Sequence, residues 1–90
     1  MARSVIKGDE PYRCYICACY GEMQVHHMLH GIHRKAADHY GLTVHLCPAC
    51  HAALHDHGYL DRFLEQEAQR TFEHIYCHED FMKVFGKNWL

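Results

Sequence analysis

Between residues 60 and 76 the apolar side chains Leu60, Phe63, Leu64, Ala68, Phe72, Ile75 and Tyr76 recur at steps of three, one and four, which predicts one face of an α-helix. Asp61, Glu65 and Glu67 toward its start, with Arg70 and His74 toward its end, match the helix dipole. Its apolar stripe reads as a surface that packs on the rest of the chain. Residues 79–85 predict a last short helix stopped by Gly86, followed by an aromatic tail over residues 87–90. Upstream, residues 48–57 are rich in Ala, Leu and His and predict a short helix that Gly58 closes. Earlier still the pattern changes to short β-prone runs at residues 12–16, 24–29 and 42–46, separated by Gly21, Gly31 and Gly41. Residues 36–40 fit one helical turn, and residues 1–13 read as a polar leader whose basic side chains are solvated.

With 90 residues the chain has room for one compact unit, and 49% hydrophobic against 22% charged residues is globular composition, which argues against a disordered or fibrous chain. No stretch reads as a membrane span or a signal peptide, so a cytoplasmic protein with no membrane partner is expected. The expected organisation is a leader at 1–13, a core at 14–57 and a helical extension at 58–90 that packs on it. A formal charge of −2 requires any nucleic-acid contact to come from a local basic patch.

Six Cys and eleven His in so short a chain call for a cause beyond packing. A domain of this size has a limited core and often adds a metal or disulfides. In a reducing compartment the cysteines read first as metal ligands and only second as a disulfide set. Cys14 and Cys17 enclose one CxxC pair, and Cys47 and Cys50 a second, with 29 residues between the inner cysteines. Two such knuckles supply the four thiolates of a tetrahedral structural Zn²⁺ site. An ion so held is worth roughly 10–16 kcal/mol in apparent binding free energy, enough to decide whether the chain folds. Cys19 is a substitute ligand on this reading, and Cys77 a buried packing residue.

Inside the insert, His26 and His27 stand side by side, and His51 and His55 follow the second knuckle four residues apart, on one helical face. Tying residue 50 to residue 14 brings that helix near the strand carrying His26 and His27, so a second, histidine-lined metal site is expected.

The succession CxxC, HH and LCPACH, with a further His four residues on, resembles the HNH endonucleases of the ββα-metal (His-Me finger) fold, over about half the chain. More narrowly, HHMLHGIHRK, YGLTVHLCP, FLEQEAQRTFE and FGKNWL resemble small phage or prophage HNH-type proteins, over nearly the whole chain. The resemblance implies a small α+β fold: a zinc-stapled ββα-metal core with C-terminal helices. It makes Cys14, Cys17, Cys47 and Cys50 the structural zinc ligands, His27 the general base, and His26, His51 and His55 ligands of a catalytic divalent cation. The middle Asn of the family falls on Leu42, between Gly41 and Thr43, and the one Asn of the chain is Asn88. Thr43, Asp38 or His45 are the candidates to take over its bracing role.

The implied activity is metal-dependent hydrolysis of DNA phosphodiester bonds by an endonuclease or nickase. Imidazole ligands admit Mn²⁺, Ni²⁺, Co²⁺ or Zn²⁺ as readily as Mg²⁺. Arg34 and Lys35 in the HGIHRK loop are the expected phosphate contacts, extended by Lys83 and Lys87 if the last helix lies alongside, with His30 and His33 adding charge or lining the ion site. The alternatives are an inactive zinc-stabilised module that binds nucleic acid or protein on the same scaffold, and a histidine-rich metal buffer.

Overall fold

The computed structural model describes residues 3–58 and 60–90. Its centre is a two-stranded antiparallel sheet, β1 (Gln24–His27) against β2 (Thr43–Leu46), in which His26 faces Val44 and His27 faces Thr43. The strands are joined through a 3₁₀ turn (Gly31–His33) that runs into α1 (Arg34–His39). Three helices follow: α2 (Pro48–His57), α3 (Asp61–Ile75) and α4 (His78–Phe85). The chain is therefore a small α+β protein, and among the described residues no helix is long and apolar enough to cross a membrane.

Local chemistry explains most boundaries. Pro48 occupies the first turn of α2, where its missing N–H costs nothing, and Gly58 ends the helix at φ 64°. Gly86 ends α4 in the same way at φ 69°. β1 stops at His27 because Met28 and Leu29 are both fully buried, a pattern that strand alternation cannot supply and that the bend into the 3₁₀ turn does.

The run at 12–16 is not a strand. Arg13 makes isolated bridges to Glu10 and Tyr20, and the chain reverses over residues 15–17. The cysteine knuckle imposes this turn: Cys14 N–H donates to the Cys19 carbonyl (2.8 Å), and Ala18 N–H to the Cys14 carbonyl (3.0 Å). The helical turn expected at 36–40 begins earlier, at Arg34, because it continues the 3₁₀ turn. Nor is the leader wholly solvated. Ile6 is buried, Val5 N–H donates to the Gly41 carbonyl, and Asp9 takes the His45 N–H at 2.7 Å. Gly41 (φ +72°) is required there, since any side chain would collide with the Arg3 carbonyl oxygen.

One core joins the described elements. Val44 and Leu46 of β2, Leu54 of α2, Leu64 and Phe72 of α3, and Phe81 of α4 share it. Edge-to-face pairs fasten α3 to α4 (Phe72–Phe81, 5.4 Å between ring centroids) and to the residue after α1 (Tyr40–Phe72, 5.1 Å). The aromatic tail belongs to this core as well: Trp89 is buried against Phe81 and His33.

Candidate metal centres

The two knuckles meet. One sulfur from each of Cys14, Cys17, Cys47 and Cys50 lies within 4.8 Å of the others, so these four cysteines are positioned to hold a zinc ion. Each knuckle turns a backbone N–H onto its first sulfur, Cys17 N–H to Cys14 Sγ and Cys50 N–H to Cys47 Sγ, both at 3.4 Å. Burial pushes the Cys14 thiol up, but the N–H groups of Cys17, Cys47 and Ile16 outweigh it and bring it down to about 6. The Cys50 N–H likewise lowers Cys47. Burial and the neighbouring sulfurs of Cys47, Cys14 and Cys17 push Cys50 up, because the cluster cannot carry several negative charges unless a cation offsets them.

The two remaining cysteines sit elsewhere. Cys19 Sγ touches Cys17 Sγ at 3.3 Å, yet Cys19 is not in the four-sulfur group, and contact with the Cys17 sulfur raises its thiol to about 12. Cys77 is exposed rather than buried. It falls in the break between α3 and α4, where its sulfur caps α4 by accepting the Asp80 N–H at 3.4 Å.

The histidines converge on a cavity of about 490 Å³. Donor nitrogens of His26, His51 and His55 lie within 4.8 Å of one another, brought from β1 and from one face of α2. His26 is 2% exposed, and its Nε2 has no hydrogen-bond partner. Nε2 of His51 and Nε2 of His55 are 3.1 Å apart, close to the spacing of two neighbouring ligands each about 2.0–2.1 Å from one ion. Burial, and then the rings of His30, His51 and His55, push His26 down to about 4, which keeps its imidazole neutral and ligand-ready near neutral pH. Burial and His55 lower His51 in the same sense. The donor set and the orphaned nitrogen both fit a divalent cation.

His27 borders the same cavity, with Arg34. Its Nε2 lies 3.1 Å from Oδ1 of Asp38 on α1. A carboxylate that only accepts favours, in the neutral imidazole, the tautomer with the proton on Nε2 and the lone pair on Nδ1. Arg34 and Lys35 line the shallow surface beside His27 and Asp38. Of the three candidates to replace the missing Asn, Asp38 is thus the one whose side chain hydrogen-bonds the His27 ring. Thr43 is buried opposite His27 across the sheet, and its carbonyl accepts from the Ser4 hydroxyl (2.6 Å). His45 is held by Asp9 through Nδ1 at 2.7 Å. His33 packs on Phe85 and Trp89 rather than at the ion site, and Lys87 Nζ lies over the Trp89 ring.

Two further groups escaped the sequence reading. Gln24 Oε1 lies 2.6 Å from Nδ1 of His51, and its place two residues before His26 on a strand was the available signal, since alternate residues share a face. Asp61, read only as a helix-dipole partner, lies 2.5 Å from Nε2 of His30, and the donor atoms of His26, His30 and Asp61 form a second close group.

Fold and site together define a small α+β protein with a four-cysteine cluster beside a histidine-lined cavity. No protein-family model matches the chain, and neither a curated protein nor a solved structure does.

Proposed function

We propose that this protein is a metal-dependent DNA endonuclease or nickase of the HNH kind, with a catalytic divalent cation at His26, His51 and His55 and His27 as general base. The observation that carries the reading is the single cavity bordered by that histidine triad, by His27 and by Arg34. The chain order β1, β2, α2, with the zinc knuckles bracketing the strands, supports the ββα-metal form of the fold. The resemblance also favours a cytoplasmic, phage- or prophage-encoded protein.

A divalent cation bound there supplies positive charge to the scissile phosphate and the departing oxygen. The chain's own residues do the rest. His27 takes a proton from the attacking water at Nδ1, while Asp38 holds Nε2–H and fixes the ring, the bracing part that the missing Asn leaves open. Arg34 and Lys35 hold the backbone phosphates next to His27, contacts that carry no sequence preference. His26, neutral and desolvated, would offer its buried, unpartnered Nε2 to the cation.

The test is nicking of supercoiled plasmid by zinc-loaded protein across Mg²⁺, Mn²⁺ and Ni²⁺, beside His27→Ala and Asp38→Asn. Each variant should lose about 10²–10⁴-fold in rate while retaining zinc and helical content. Cleavage that is equal in wild type and His27→Ala removes the base assignment. No cleavage with any ion replaces the enzyme by a zinc-stabilised binding module.

A further inference from the structure

We propose that His30 and Asp61 complete the ion site, so that one divalent transition-metal cation is held jointly by histidines of the β1–α2 region and by a carboxylate of α3. The inference rests on the ion site described above. It adds an acidic ligand that comes from outside the strand and helix segment carrying the triad.

Two close groups of donor atoms share His26: one with His51 and His55, the other with His30 and Asp61, each within 4.8 Å. Both groups include His26, whose Nε2 is the one buried side-chain nitrogen or oxygen without a partner among the described residues. Leaving such a group unsatisfied is unfavourable, and both groups converge on its ring. One lone pair serves one ion, so the two groups are two arms of a single site with His26 at its pivot. The His30 ring stands 5.2 Å from that of His26 and 6.4 Å from that of His55, and both His30 and Asp61 line the cavity that the triad borders.

The second arm is already assembled. His30 Nε2 and Asp61 Oδ1 hold each other at 2.5 Å, a bond they would exchange for bonds to the cation, the proton between them passing to solvent. Asp61 is the first residue of α3, and the residue before it, Leu60, sits at φ 60°, a left-handed conformation that a leucine adopts only at a cost. That turn sets where α3 starts and hence where its first carboxylate lies. Four imidazoles and one carboxylate suit Mn²⁺, Co²⁺ or Ni²⁺ in five- or six-fold coordination. Cation binding then clamps α3 onto the strands and α2.

Zinc-loaded protein is titrated with Co²⁺, following the visible absorption of the bound ion and amide exchange in the first turn of α3. Wild type should take up one Co²⁺ beyond the zinc and slow exchange over that turn. Asp61→Asn should bind Co²⁺ about 10–100-fold more weakly, with an altered spectrum and no slowing, and Asp61→Glu should recover most of the affinity. His30→Ala should behave as Asp61→Asn does, and His26→Ala should abolish uptake. Retained zinc and far-ultraviolet circular dichroism verify the fold of each variant. If Asp61→Asn and His30→Ala match wild type while His51→Ala loses Co²⁺, the triad stands and the clamp is overturned. Uptake of two Co²⁺ overturns the single-ion form. No uptake beyond the zinc by wild type overturns the clamp and the ion site together.

Discussion

Nδ1 of His51 lies 2.6 Å from Oε1 of Gln24, a contact between α2 and β1. An amide oxygen only accepts, so the contact places the His51 proton on Nδ1 and leaves Nε2 with its lone pair toward His55. Gln24 therefore selects the tautomer in which His51 is a ligand. Gln24→Ala should weaken Mn²⁺ or Co²⁺ binding at the histidine cavity by about 10–100-fold and leave the thiolate-bound zinc in place. Titration calorimetry on zinc-loaded protein measures this, and an unchanged affinity would show that His51 keeps its orientation without Gln24.

The sulfur cluster makes a sharper contrast. Cys14 is fully buried within the four-sulfur group, whereas exposed Cys19 only touches Cys17 from outside it. Structural zinc contributes roughly 10–16 kcal/mol in apparent binding free energy, as much as or more than the net stability of about 5–15 kcal/mol typical of a whole domain. Cys14→Ser should therefore yield a zinc-poor chain without a cooperative unfolding transition. Cys19→Ser should bind one zinc and melt within a few degrees of wild type. Zinc analysis with thermal circular dichroism separates the two, and equal zinc loss in both would move Cys19 into the ligand set.

How much of this was legible in the sequence depends on the range of the signal. The stripe Leu64, Ala68 and Phe72, the caps Gly58 and Gly86, and the spacing of the two CxxC pairs are local patterns, and each led to the observed element or cluster. Residues 12–16 misled because β-propensity gives way to a knuckle that must turn both sulfurs inward. Cys77 misled because a thiol can cap a helix as well as fill a core, and the break between α3 and α4 decides which. Asp61 at the histidine cavity was not legible, since it lies 31 positions after His30 and only the packing of α3 brings them together.

His26 should also give the fold a recognisable acid response. Burial, and then the rings of His30, His51 and His55, lower it from 6.5 to about 4. From about pH 6.5 down to about 4 the unfolded chain accepts a proton that folded His26 refuses, so its contribution to stability is complete above that window and lost as pH falls through it. Thiol protonation releases zinc over part of the same range, which makes the comparison with His26→Gln the informative one. The urea midpoint of the zinc-loaded, otherwise ion-free wild type should fall more steeply from pH 6.5 toward 4 than that of the variant. Parallel curves would mean that His26 is protonated in the folded protein as readily as in the unfolded one.

Asn88, the only Asn of the chain, sits far along the sequence from the HNH-like pattern and serves the aromatic tail instead. Gln69, fully buried on α3, accepts the Trp89 N–H at 2.7 Å and donates to Asn88 Oδ1 at 2.6 Å, while Gln66 donates to the Trp89 carbonyl at 3.0 Å. These bonds pin Trp89 against Phe81 and His33, so the tail packs on the core and on the 3₁₀ turn that leads into α1. Gln69→Ala strands the Trp89 N–H, which costs about 1–3 kcal/mol, and removes the partner of Asn88. The tail should then detach before the rest unfolds, because the apolar stripe of α3 still packs on α4 through Phe72 and Phe81. Trp89 is the single tryptophan, so its fluorescence should shift to the red in native buffer while helical circular dichroism remains. Emission unchanged from wild type would show that ring packing alone retains the tail.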